Sequence, residues 1–191
     1  MTLSLDSKTT ALLVMDMQSC ILDRVADKKE SLLAQTTKLL DAARSAKIRV
    51  VYVVVAFRPG YPELSPRNKS FTFLRETKLF DPGSPGTEIH PALAPRSDEV
   101  VVTKHRVSAF AGTDLEMVLR SNGIETLVLS GIATSGVILS TTRHAADADY
   151  RIVVVEDGCA DPDAEVHRVL LEKVLARQAT VAKVADVAFA Q

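Results

Sequence analysis

Short apolar runs rich in β-branched residues alternate along the chain with longer stretches of helical period. "TALLVMDMQ" (10–18) is apolar without a break until Asp16. "DKKESLLAQTTKLLDAARSAKI" (27–48) sets Leu32, Leu33, Leu39, Leu40 and Ala43 on one helical face, with charges opposite. "RVVYVVVAF" (49–57) is apolar on both faces, as a covered central strand must be. Further strand-like runs are "DEVVVTK" (98–104), "ETLVLSG" (125–131), "YRIVVVEDG" (150–158) and a weaker "ATVAKVADV" (179–187). Helices are expected at about 113–122, 135–148 and 163–177. The last of these starts with acidic residues and proline and ends with arginine, the polarity its dipole favours.

Strand–helix alternation implies parallel strands with helices on both faces. The expected fold is therefore α/β, a three-layer α/β/α sandwich around a six-stranded, mostly parallel sheet. Residues 58–97 break the pattern, because they hold seven of the chain's eight prolines. Such a segment cannot be one continuous helix, and a loop of this length is more often a functional cover than a linker. The chain reads as one domain, 1–191, with a proline-rich cover.

Composition narrows the function. The chain has 191 residues, 47% hydrophobic and 25% charged, with a formal net charge of −1. Nothing in that balance recommends a nucleic-acid or anionic-membrane partner. No apolar run approaches the ~20 residues of a membrane span, and "MTLSLDSKTT" lacks the basic-then-apolar order of a secretory signal. Cys20 and Cys159 make neither a metal-ligand spacing nor a disulfide framework. No pair of histidines has metal spacing. A reduced, cytoplasmic protein without metal or cofactor is expected.

In open α/β sheets, ligands bind beyond the carboxyl ends of the strands. Those ends carry Asp16; Phe57 and Arg58; Lys104, His105 and Arg106; the turn "GIATSGV" (131–137); and Glu156 with Asp157. Asp16 follows five apolar residues, so its carboxylate should lie at a buried edge and need a partner. Lys104 is the candidate partner. The two would form an acid–base pair, or only an ion pair capping two strand ends. In the turn, Gly131 permits a tight exit. The N–H groups that follow could stabilise negative charge, while Thr134 or Ser135 caps the helix. His90 belongs to the cover, His105 should face away from Lys104, and His144 and His167 should be solvated on helices. Cys20 could approach the mouth or act as a small apolar filler, and Cys159 reads as structural. "AFAGTDLE" lacks the lysine and spacing of a phosphate-binding loop.

"ALLVMDMQ", "VVTKHRVSAF" and "LVLSGIATSGVILSTTRHAADADYRIVVVEDGCAD" resemble the isochorismatase-like, or cysteine hydrolase, superfamily. The resemblance covers about residues 9–185. It implies a six-stranded parallel sheet, a homodimer or larger assembly, and a small-molecule substrate. It also implies an Asp–Lys–Cys triad, with Asp16 as the acid/base group and Lys104 as the charge stabiliser. The nucleophile would come from a turn of the form Gly-x-Ala-Thr-x-x-Cys, in which the N–H groups at Ala133 and at the cysteine position form the oxyanion hole. The bond before that alanine, Ile132–Ala133, is the candidate for a cis peptide.

This chain departs from the pattern at the last position of that turn, where Val137 stands in place of the thiol. The thioester route of amidase relatives such as nicotinamidases is therefore closed, and their metal-binding Asp/His cluster is missing from 56–75. True isochorismatases carry glycine at that position and hydrolyse a vinyl ether by protonation at carbon. The resemblance thus implies a metal-independent, non-thiol hydrolase, or alternatively an inactive small-molecule-binding homologue. Nucleophilic supply from Cys20 or a loop serine is a third reading. Gln18, Cys20, Phe57, Arg58, Phe110, Thr134, Ser135 and Gly136 are expected to line the pocket. Phe71, Phe73 and Leu74 are expected as exposed apolar positions that support self-association.

Overall fold

A computed structural model describes residues 2–81, 83–84 and 86–190, and of Phe73 the backbone alone. The strands are β1 (Leu3–Asp6), β2 (Thr10–Met15), β3 (Arg49–Val55), β4 (Val100–Lys104), β5 (Thr126–Ile132), β6 (Arg151–Ala160), β7 (Thr180–Ala182) and β8 (Val187–Ala190). The α-helices are α1 (Ser19–Leu22), α2 (Lys29–Ser45), α3 (Lys69–Thr77), α4 (Leu115–Ser121), α5 (Leu139–Asp147) and α6 (Ala164–Val169). Six strands form one sheet in the order β4-β3-β2-β5-β6-β7, every pairing parallel.

Every residue of β2 and β5 is buried, because helices cover both faces of the sheet. On one face Leu12, Val14, Tyr52 and Val128 pack against Leu32, Leu39, Leu40 and Ala43 of α2. On the other, Leu13, Met15, Val53 and Leu129 pack with Leu115 and Leu119 of α4 and Ala145 of α5. The chain runs β2 to β3 to β4 in one direction, then returns to place β5 on the other side of β2. The carboxyl ends of β2 and β5 therefore flank the switch in strand order, where open α/β sheets hold their ligands.

Five expectations are corrected. The run 179–187 is not one strand: β7 closes the main sheet, while β8 pairs with the unexpected β1 in a separate two-stranded sheet. The run 150–158 continues to Ala160, because a register shift between Leu129 and Gly131 carries β6 past Glu156 and Asp157. The helix expected over 163–177 is α6 followed by a π-turn and a 3-10 turn. The cover contains a nine-residue helix, α3, between its proline-rich flanks, of which Pro82 and Pro85 lie outside the described residues. Phe71 on α3 is buried and Leu74 half-buried, facing inward rather than out. The side chain of Phe73 lies outside the described positions. These positions therefore lend no support to self-association.

Candidate active site

Asp16 is the first residue beyond β2. It adopts a left-handed backbone, with φ at 57°, which aspartate tolerates better than most residues. Its N–H donates to the Val53 carbonyl at 2.8 Å, so the strand ladder fixes it up to that atom. Lys104 closes β4, in register with Val55 at the end of β3. Both side chains are buried, and Lys104 Nζ lies 2.9 Å from Asp16 Oδ2. The same ammonium donates to the Arg106 carbonyl at 3.1 Å. Asp16 Oδ1 is buried without a hydrogen-bond partner among the described residues. Burial pushes the Asp16 carboxyl above its ordinary value, while the Lys104 charge and hydrogen bond pull the other way. A pair this buried is costly to break, since the remaining charge would be uncompensated by roughly 3–5 kcal/mol.

The turn after β5 is built by close approach. Gly131 has φ 149°, and a Cβ on it would stand 2.1 Å from the Met15 carbonyl oxygen, so no larger residue fits beside β2. The Ile132–Ala133 bond is cis. A π-turn, Thr134–Ile138, then leads into α5, with Gly136 in a non-helical conformation (φ −103°, ψ −106°). Three side chains hold this turn from behind. Asp161 Oδ2 accepts from the Ser135 N–H at 2.7 Å, its Oδ1 accepts from the Asp163 N–H at 3.2 Å, and the Thr134 hydroxyl meets His167 Nδ1 at 2.7 Å.

Asp16, Lys104, Ala133, Gly136 and Val137 line one cavity of about 290 Å³. Ile21, Val55 and Ile132 add apolar wall, and the cover closes it with Ser70, Phe71, Leu74 and Phe80. Arg24 and Arg106, both exposed, sit at its rim. The arrangement offers a buried carboxyl paired with a fixed ammonium, and a turn of backbone amides, in a small, mostly apolar chamber.

The other expected lining residues lie outside that wall. Gln18 is a buried bolt, because its amide donates to the Val55 and Thr87 carbonyls and accepts from the Val55 N–H. Cys20 is half-buried against Gly86, with its N–H on the Gly86 carbonyl. Phe57 stands one layer back, packed on Tyr61, Phe71 and Phe80. Arg58 is exposed and paired with Glu63 at 2.6 Å. Phe110 is stacked on His144 with ring centroids 4.6 Å apart, in the core of the other sheet face. Thr134 and Ser135 serve the turn from behind. His167 is half-buried on Thr134 rather than solvated. Among the described residues no three His, Cys, Asp or Glu side chains are grouped as metal ligands. Among the described residues no helix is long and apolar enough to cross a membrane.

Sequence reasoning missed Arg24, Asp161 and the inward face of α3. Arg24 follows α1 in a 3-10 turn that folds back over the site, and no periodicity announces such a return. Asp161 was hidden by the early end assigned to the fifth run.

Known proteins share this architecture. The isochorismatase domain model matches residues 10–186. An uncharacterised isochorismatase family protein of Escherichia coli O157:H7, YecD, is 31% identical over 97% of both chains. A ureidoacrylate amidohydrolase, RutB, of Methylobacterium radiotolerans is 31% identical over 90% of this chain and 75% of its own. The crystal structure of a cysteine hydrolase from Pseudomonas syringae pv. phaseolicola superposes with a TM-score of 0.85 at 26% identity, covering 94% of this chain and 90% of the other. With the domain match spanning nearly its whole length and a relative 31% identical across nearly all of both chains, the chain belongs to the isochorismatase family.

Proposed function

We propose that the chain is a small-molecule hydrolase working by acid catalysis from Asp16, with Lys104 as charge stabiliser and no thiol intermediate. One observation carries this reading. Asp16 Oδ2 is tied to Lys104, while Oδ1 is buried without a partner among the described residues, in a side chain that lines the cavity. A carboxyl whose pKa is raised by burial keeps its proton closer to neutrality, which general acid catalysis requires.

The reaction class that suits these groups is hydrolysis of a vinyl ether. The Asp16 proton passes to the alkene carbon and leaves an oxocarbenium ion. Lys104 holds the carboxylate so formed. Water adds to the cationic carbon and returns a proton to Asp16, and the hemiketal separates into a carbonyl compound and an alcohol. Ala133 and Val137, the residues whose N–H groups the resemblance assigns to an oxyanion hole, both line the cavity. Val137 offers only hydrocarbon where a thiol would attack, so covalent acyl transfer has no nucleophile there.

The test is a screen of vinyl ethers, esters and amides against the wild type and Asp16→Asn. Amides belong in it because the M. radiotolerans relative is named an amidohydrolase. The expected result is loss of turnover on the order of 10²–10⁴-fold with ligand affinity largely kept. Turnover should also fall as pH rises through the raised Asp16 pKa, because the acid must be protonated. A wild type that binds ligands without turning any over would make this chain a binding homologue, and equal turnover by both proteins would remove Asp16 from the chemistry.

A further inference from the structure

The charges lining the cavity are unbalanced. Among the described lining residues three are cations, Arg24, Lys104 and Arg106, and one is an acid, Asp16. Lys104 is taken up by Asp16. No carboxylate among the described residues pairs with either arginine. Asp23, the acid next to Arg24 in sequence, is engaged by Lys29 at 2.8 Å. Arg106 is held in place by other means. Its Nη1 donates to the His105 carbonyl at 2.6 Å, and its guanidinium lies 5.7 Å from the centroid of the Phe71 ring, itself part of the cavity wall. The whole chain carries a net charge of only −1, so this excess of positive charge is local.

The two arginines reach the cavity from different elements. Arg24 belongs to the 3-10 turn after α1, and Arg106 to the segment leaving β4. Apart from Ser70, most of the remaining wall is hydrocarbon, from Ile21, Val55, Phe71, Leu74, Phe80 and Val137. A stack against an aromatic face presets the guanidinium plane, and a planar fork matches a carboxylate better than a lysine point charge does.

We infer that Arg24 and Arg106 form a carboxylate-recognition site at the rim, selecting ligands that carry a small carboxylate on an apolar body whose far end reaches Asp16. This deepens the reading of the cavity as a small-molecule site and rests on it. The rim supplies charge recognition, the aromatic and aliphatic wall supplies fit, and the buried carboxyl supplies the chemistry. Because Arg106 is braced and Arg24 has no such brace among the described residues, Arg106 carries the larger share of the selection.

The test uses Val137→Cys, which places a thiol on the cavity wall, and compares its alkylation by iodoacetate and by iodoacetamide. Both reagents are attacked by the thiolate at the same carbon and lose iodide. They differ only in bearing a carboxylate or a carboxamide. A change in the thiol's own acidity affects both rates alike and cancels in their ratio. Peptide mapping separates the introduced thiol from Cys20 and Cys159. The iodoacetate-to-iodoacetamide ratio is expected to exceed that of glutathione by about tenfold at low salt, because a positive cleft concentrates anions. Adding Arg106→Gln should lower the ratio by roughly fivefold and Arg24→Gln by roughly twofold, with both effects shrinking in high salt. A ratio equal to that of glutathione, or one unmoved by either arginine substitution, overturns the inference. So does a thiol inert to both reagents, since such a cavity admits no small carboxylate. Turnover plays no part in this readout, so its failure and that of the Asp16 experiment are separately visible.

Discussion

Met15 and Gly131 are register partners on adjacent strands, and a methyl group on Gly131 would lie 2.1 Å from the Met15 carbonyl oxygen. Strand β2 and the turn after β5 thus approach as closely as backbone permits, one residue before Asp16 and two before Ala133. Gly131→Ala should therefore separate the carboxyl from the turn as well as destabilise the fold. Its φ of 149° adds a conformational penalty to the clash. The expected loss is about 2–4 kcal/mol, read from urea unfolding. A loss below about 0.5 kcal/mol, the level of an ordinary surface substitution, would show that the strands need not meet.

Gln18 is placed to hold the cover down rather than to meet a ligand. Its amide satisfies both backbone groups of Val55 and reaches the Thr87 carbonyl at 2.6 Å, across 69 residues of sequence. Gln18→Leu keeps the volume and strips all three bonds, leaving buried backbone groups of β3 unmatched. A cost of about 2–4 kcal/mol follows. Amide exchange should accelerate at 86–90, where Ser19, Cys20 and His90 also tie the cover to the strand end. Unchanged exchange there would mean that those other bonds suffice.

The residues that were legible and those that were not differ in a physical way. Asp16 and Lys104 could be placed because each ends an apolar run, and a strand's last residue is fixed by its ladder. Gly131 and the turn could be placed because a strand-to-helix exit at the switch point must bend sharply. Past those points direction is set by contacts the sequence does not announce. Phe110 and Arg58 lie close to strand ends, yet one packs under α5 and the other turns to Glu63. α3 was hidden because flanking prolines mark boundaries without saying what lies between them. β1 was missed because "LSLD" is four residues long and half-exposed, and only pairing with β8 makes it a strand.

Asp161 acts on the site through the turn. With its two oxygens on the N–H groups of Ser135 and Asp163, it joins the Gly131 turn to the start of α6. Asp161→Ala leaves the Ser135 N–H without its acceptor. The expected cost is about 1–3 kcal/mol, with Asp161→Asn milder because one acceptor oxygen survives. NMR should localise the disturbance to amides 133–137 while those of β2 stay put. Equal shifts throughout the sheet would make Asp161 a general fold residue instead.

His167 gives the same turn a dependence on pH. Burial and the nearby Lys28 charge lower its pKa, while Asp161 and Glu156 oppose them more weakly. The neutral ring meets Thr134 at 2.7 Å. Above the unfolded value of ~6.5 both folded and unfolded chains carry a neutral ring, and the contact contributes fully. As pH falls below that value the unfolded chain takes up the proton first, so it binds more protons than the folded chain and stability declines. The decline ends once pH drops below the folded pKa. Wild type should therefore lose stability relative to His167→Gln as pH falls below about 7, while the two run parallel above that pH. Measuring the difference between the two proteins removes the carboxylates they share. A gap that stays constant would mean that the fold leaves the ring's titration unchanged, and one that widens in favour of wild type on acidification would mean that Thr134 is held by an imidazolium.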